Sequence, residues 1–175
     1  MKQHAASAFD RAVLVLNTGG TFNKRYDPIG GDLFVARDDQ AVEAALAQFR
    51  GNLACRVQGL IYKDSLEMDE EDRALLAREI AAATETHVLV VHGTDTMSLS
   101  ADAVAKCCPE KRIVFSGAMT PYAFAPQEGA MNLALGMGWL LSGDTPEVRI
   151  AMHGLVLPYA QIVKDRQNGV FVALE

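Results

Sequence analysis

Cross-linking chemistry is nearly absent from this sequence. Its 175 residues include three cysteines, Cys55 and the neighbours Cys107 and Cys108. No C-x-x-C and no Cys/His spacing accompanies them, which excludes a disulfide framework and a zinc site and leaves reduced, partly buried thiols. Basic charge is also in deficit: 16 Lys and Arg stand against 22 Asp and Glu, for a net charge of -6. With no basic stripe to neutralise a phosphate backbone, nucleic acid is excluded as a partner. No window approaches the roughly 20 apolar residues of a bilayer-crossing helix, so no membrane partner is expected. The opening MKQHAASAFDRAVLVLN has too short an apolar run for a signal peptide and carries Asp10 and Arg11 just before it. It reads as a disordered N-terminus over residues 1–11 of a cytoplasmic protein. Missing too are G-x-x-x-x-G-K-[ST], G-x-G-x-x-G and the G-x-S-x-G elbow, which argues against nucleotide binding and a serine triad.

What is present suits one well-buried domain over 1–175, since half the residues are hydrophobic and 22% are charged. Short apolar runs predict strands at Val13–Asn17, Arg56–Tyr62, Val88–His92, Arg112–Ser116 and Arg149–Val156, most apolar on successive residues and so buried on both faces. Between them, apolar residues three and four apart predict helices at Asp39–Phe49, Asp69–Glu85, Asp95–Cys107 and Gln127–Leu141. The acidic MDEED before RALLAREI suits a helix N-terminus, where carboxylates meet unsatisfied amides. Asn168-Gly169 between two apolar runs signals a C-terminal hairpin.

The alternation implies an α/β fold: an open, mostly parallel sheet with right-handed crossovers and helices on both faces. Such sheets bind ligands beyond the carboxyl ends of their strands. LNTGGTF, YKDSLEMD, VHGTDTM, SGAMTPYAF and HGLVLPYAQIVKD follow the five strands in turn, so all five polar tips fall on one edge. DPIGGD, Asp27–Asp32, reads as the tip of a mobile loop after the first strand, a lid over that edge.

Thr21, Ser65, Thr94, Asp95 and Lys164 lie on these tips. A threonine hydroxyl is a poor nucleophile at neutral pH until a base removes its proton, and a lysine held by a carboxylate and a second threonine can do this. The set describes acyl transfer, with backbone amides at Gly19-Gly20 and Gly93 as candidate oxyanion donors. Each motif also has an ordinary reading. Thr18-Gly19-Gly20-Thr21 can be a tight turn, Asp95 a helix cap, His92 and His153 satisfied core histidines, Ser65 and Glu67 a helix start, and Lys164 a solvated hairpin face. Five motifs in one order on one sheet edge favour a site.

TGGTF, DSLEM, HGTDTM, SGAMTP and YAQIVKD, in that order from Val13 to about Asp165, resemble the motifs of the bacterial-type L-asparaginase family. The resemblance implies an amidohydrolase that releases ammonia from asparagine or a related small amide, with no metal or cofactor. It implies Thr21 as nucleophile and Thr94, Asp95 and Lys164 as the set that activates it and protonates the leaving ammonia. Ser65 and Asp95, with Gly20, Glu67, Gly93 and Ala118 around them, are the expected substrate contacts.

Four departures bear on these expectations. Family members continue for well over a hundred residues into a second domain that helps bind substrate across a subunit interface, and this sequence ends at Glu175. The expectation is therefore a one-domain member, the second domain absent, that pairs as a homodimer. The position matching the family's catalytic tyrosine is Phe34, which has no proton to give and leaves Tyr26 as the nearby phenol. Leu66 and Tyr122 stand where a polar and a small residue are usual. Two other functions compete: an amino-acid or dicarboxylate binding module without turnover, and a structural homo-oligomer paired through AMNLALGMGWLL around Trp139, a segment that core packing explains equally well.

Overall fold

The computed structural model describes residues 11–50 and 53–174. Along the chain run β1 (Ala12–Gly19), β2 (Lys24–Tyr26), β3 (Leu33–Val35), α1 (Gln40–Leu46), β4 (Ala54–Lys63), α2 (Glu70–Ala82), β5 (His87–Val91), α3 (Met97–Cys107), β6 (Arg112–Ser116), α4 (Pro126–Leu141), β7 (Glu147–Met152), β8 (Leu155–Pro158), β9 (Ile162–Asp165) and β10 (Val170–Ala173). Six strands form one sheet in the order β4-β1-β5-β6-β7-β8. All its pairings are parallel except β7 with β8. The α/β class and the C-terminal hairpin, β9 with β10, are as the sequence predicts.

Residue alternation splits the core between the two faces of the sheet. Val13 and Val15 of β1 join Leu89, Leu133, Met137 and Leu140 on the α1/α4 side. Leu14 and Leu16 join Leu76, Ile80, Val88, Met97 and Phe115 on the α2/α3 side. Burial on both faces is why these strands read as unbroken apolar runs. The acidic turn before α2 forms a capping box: Asp69 accepts from the Asp72 amide, and Asp72 accepts from the Asp69 amide.

Several expectations are corrected. The fifth predicted strand, Arg149–Val156, is two antiparallel strands, β7 and β8, joined by His153-Gly154 with both residues at positive φ. That is the backbone of a primed two-residue hairpin turn, in which histidine is tolerated and glycine preferred. The loop after β1 carries a small hairpin, β2 with β3, whose turn spans DPIGGD. Cys107 is exposed, whereas Cys55 is half-buried and Cys108 buried. Trp139 lies under the Arg112 guanidinium, 3.6 Å from the ring centroid, so much of its apolar face is covered within the chain. The disorder expected over residues 1–11 falls outside the described residues except at Arg11, whose guanidinium pairs with Asp144 at 2.8 Å. Among the described residues no helix is long and apolar enough to cross a membrane.

Candidate active site

β1 and β5 lie side by side at the centre of the sheet, and their carboxyl ends touch through glycine. A Cβ on Gly20 would stand 2.4 Å from the Gly93 backbone, and one on Gly93 would stand 2.6 Å from the Ser65 Cβ. Side chains at these two positions would force the three tips apart. Gly20 is at φ 69°, and Thr21 follows as the first residue of a single 3-10 turn, Thr21–Asn23. Thr21 is partly exposed, while Phe22 behind it is buried and stacks on Tyr122 with centroids 5.2 Å apart. The aromatic pair anchors the turn to the loop after β6.

The same edge gathers the other predicted residues. Ser65 is buried, and its hydroxyl accepts from the Asp95 amide at 3.2 Å. Its carbonyl accepts from the Thr96 hydroxyl at 2.7 Å. These bonds clamp the β4 tip to the β5 tip. From the C-terminal hairpin, Lys164 Nζ donates to Thr94 Oγ1 at 2.8 Å and to Asp95 Oδ1 at 3.0 Å. Thr94 is 5% exposed and the Lys164 side chain 13%, so water competes weakly for these bonds.

Two expectations about the tips change. The amides of Gly19 and Gly20 are not free for an oxyanion: Gly19 donates to Asn17 Oδ1 at 3.0 Å and Gly20 to the Lys63 carbonyl at 2.8 Å. Of the glycine amides named from the sequence, this leaves Gly93. Ala118 is fully buried in the α1/α4 core, so it shapes the floor from below. Glu67 is exposed and lines a polar cleft of 320 Å³ with Lys24, Phe34, Tyr62 and Asp64. Tyr26 and Phe34 are both exposed on the β2–β3 hairpin, Tyr26 opposite Leu33 and Phe34 opposite Arg25.

Charges that sequence reasoning missed surround this edge. Lys24 pairs with Asp64 at 2.6 Å and ties the small hairpin to the β4 tip. Burial pushes the Asp64 carboxyl up, but the Lys24 ammonium, the Leu66 amide and Lys164 together hold it below the usual carboxylate range. Arg166 places Nη2 3.5 Å from Asp95 Oδ1, a second cation on that carboxylate. Tyr62, at φ 58°, donates its hydroxyl to Asp39 at 3.0 Å. Burial first, and Asp39 second, push its pKa up to about 12. It stays a neutral phenol.

Chemically, the edge offers a partly exposed threonine at Thr21 and a second hydroxyl at Thr94 in contact with an amine. A carboxylate holds that amine. The cavity of 670 Å³ lined by Glu128, Met131, Leu135 and His153 contains none of these groups and is lined mainly by apolar atoms.

The family model "Asparaginase, N-terminal" matches residues 12–171. A glutamyl-tRNA(Gln) amidotransferase component from Archaeoglobus fulgidus is 32% identical over 150 residues, covering 81% of this chain and 34% of that protein. Its namesake from Methanosarcina barkeri is 32% identical over 152 residues with the same coverage. The probable cytoplasmic L-asparaginase of Campylobacter jejuni superposes with a TM-score of 0.80 at 25% identity, covering 93% of this chain and 53% of that one. The thermostable L-asparaginase of Thermococcus kodakarensis, at 20% identity and a TM-score of 0.79, shares the fold over 93% of this chain and 51% of its own. The chain thus spans about a third of the curated relatives and about half of the solved structures.

Proposed function

This chain belongs to the asparaginase N-terminal family, and on that premise we propose that it hydrolyses the side-chain amide of asparagine or a related small amide through Thr21. The observation that carries the reading is the pair of hydrogen bonds from Lys164 Nζ to Thr94 and Asp95, made across 70 and 69 positions of sequence. A lysine brought that far to a threonine and a carboxylate is an arrangement for moving a proton.

In the proposed reaction, Thr21 Oγ attacks the amide carbon and loses its proton to the Thr94–Lys164–Asp95 set. That set returns a proton to the departing nitrogen, which leaves as ammonia. Water then adds to the threonyl ester, releasing the acid and restoring the Thr21 hydroxyl. Ser65 and Asp95 hold the substrate's carboxylate and amino group. Gly20, Gly93, Glu67 and Ala118 shape the space around them, and Tyr26 is the phenol that takes the place left by Phe34. Assembly as a homodimer belongs to the same proposal, and sedimentation at micromolar concentration tests it: a monomer there removes it.

Ammonia release from L-asparagine, L-glutamine and a panel of small amides tests the chemistry. Glutamine is included because the curated relatives carry the name of an amidotransferase for glutamyl-tRNA(Gln). Thr21→Ala and Thr94→Ala should each lower release by at least about a hundredfold with unfolding temperature unchanged. Activity that survives in both variants removes Thr21 and Thr94 from the mechanism. Phe34 favours a second reading, a module that binds aspartate-like ligands without turnover. Calorimetry on a wild type that releases no ammonia decides it: a heat of binding for L-aspartate supports that reading, and its absence removes it.

A further inference from the structure

His153 stands between the sheet edge and the hairpin that carries Lys164, and the proposed chemistry does not use it. It is the first residue of the β7–β8 turn, at φ 52°. Its ring is bonded on both sides. Nδ1 accepts from the Phe171 amide at 3.2 Å, which assigns the ring proton to Nε2, and Nε2 donates to Glu128 Oε1 at 3.1 Å. The His153 amide donates to Asn132 Oδ1 at 3.0 Å, so the turn is also held to α4. Glu128 in turn accepts the amides of Met119 at 2.7 Å and Thr120 at 3.0 Å, in the loop after β6.

Phe171 is the link to the site. It lies directly opposite Lys164 in the β9–β10 ladder, so the two side chains leave the hairpin on one face. Its own side chain is buried and meets the His153 ring edge-on, with centroids 5.9 Å apart. Because its amide bonds His153, that amide points away from β9 and towards the turn. A two-stranded ladder of four residues a side is marginal by itself, and this one is separate from the main sheet. Contacts off the ladder must therefore set where Lys164 sits.

We infer that His153 is a positioning residue: it docks the β9–β10 hairpin onto the sheet edge through Phe171 and keeps Lys164 Nζ within reach of Thr94 and Asp95. Through Glu128 it ties the hairpin to the loop at residues 119–120. The inference rests on the amidohydrolase reading only for what Lys164 does once it is held there.

Two substitutions separate positioning from packing. His153→Phe keeps the ring against Phe171 and removes both ring hydrogen bonds, with backbone strain at φ 52° that Glu128→Gln, which weakens one of these bonds, does not add. His153→Asn tolerates left-handed backbone and offers Oδ1 in place of Nδ1. In ammonia release by the full chain, His153→Phe should lower kcat about tenfold with KM nearly unchanged, and His153→Asn should recover most of it. Trace acetylation with acetic anhydride, read by mass spectrometry, follows Lys164 without any turnover. Lys164 should label about tenfold faster in His153→Phe and near the wild-type rate in His153→Asn. Glu128→Gln, which withdraws one acceptor from the ring and loop, serves if His153→Phe does not fold, and should label faster than wild type. Wild-type labelling in the folded variants that lack the bonds overturns the inference, as does equal loss in His153→Phe and His153→Asn. A wild type that releases no ammonia removes the amidohydrolase reading, and the labelling still decides the positioning.

Discussion

His92 shows how tightly single residues are held behind the strand tips. It is fully buried at the end of β5. The Gly93 carbonyl can only accept, so His92 Nδ1–H donates to it at 2.7 Å, and Nε2 accepts from the Ser100 hydroxyl at 2.8 Å. Burial pushes its pKa down to about 4; the Gly93 bond opposes this and the Arg73 cation adds to it. In the unfolded chain the imidazole takes a proton near pH 6.5, ahead of the folded one. Stability contributed by the neutral ring is therefore complete above about pH 7, falls as pH drops towards about 4, and levels off below, a loss of about 3 kcal/mol. Denaturant titrations over that range should show the slope in wild type and a shallower one in His92→Gln; equal slopes assign the loss to other groups. The sequence reading of His92 as a satisfied core histidine agrees with these bonds. Thr94, Asp95 and Lys164 were also legible, because each stands in a short motif at a strand end. Lys24, Asp64 and Arg166 were not, since ion pairs between separate loops leave no spacing in the chain.

Among the elements, the strand ends are where glycine matters most. Gly20→Ala and Gly93→Ala should each cost about 1–3 kcal/mol, because the added Cβ meets the Gly93 backbone in one case and Ser65 in the other. Both should lose ammonia release beyond what the stability change explains, because the displaced tips carry Thr21 and Thr94. Gly138 in α4 has nothing within 4 Å of its Cβ position, so Gly138→Ala should stabilise by about 0.5–1 kcal/mol and leave turnover unchanged. Thermal unfolding beside an ammonia assay checks all three. A Gly93→Ala protein with wild-type stability would mean that the Ser65 contact yields without cost. Helices and central strands were readable because period 3.6 and unbroken apolar runs are long signals. β2 and β3 are three residues each, too short to carry a pattern. The β7–β8 turn was read through because His153-Gly154 lacks the Asn or Asp that usually announces it.

For the molecule as a whole, strand order does what alternation alone could not announce. β4 lies beside β1 and β6 beside β5 on the far side, so the chain leaves β1 and β5 in opposite directions, the kind of reversal at which open α/β sheets bind ligands. Alternating strands and helices announce the sheet and the edge where its polar tips gather, but the order of strands depends on how crossovers pack, which no local pattern encodes. Gly20 and Gly93 meet at that reversal, and the β2–β3 and β9–β10 hairpins, each outside the main sheet, stand on the tips of β1 and beside β5. Two short ladders should open at lower free energy than the fully buried strands β5 and β6. Hydrogen exchange should therefore be fast in both hairpins and slow in the two strands. A ligand that bridges this reversal adds contacts to the hairpins without altering the core, so saturating L-aspartate should slow exchange in both hairpins together and leave β5 and β6 unchanged. Protection confined to one hairpin would mean that the ligand does not span the reversal between β1 and β5, and the substrate position would have to be drawn on that hairpin's side alone.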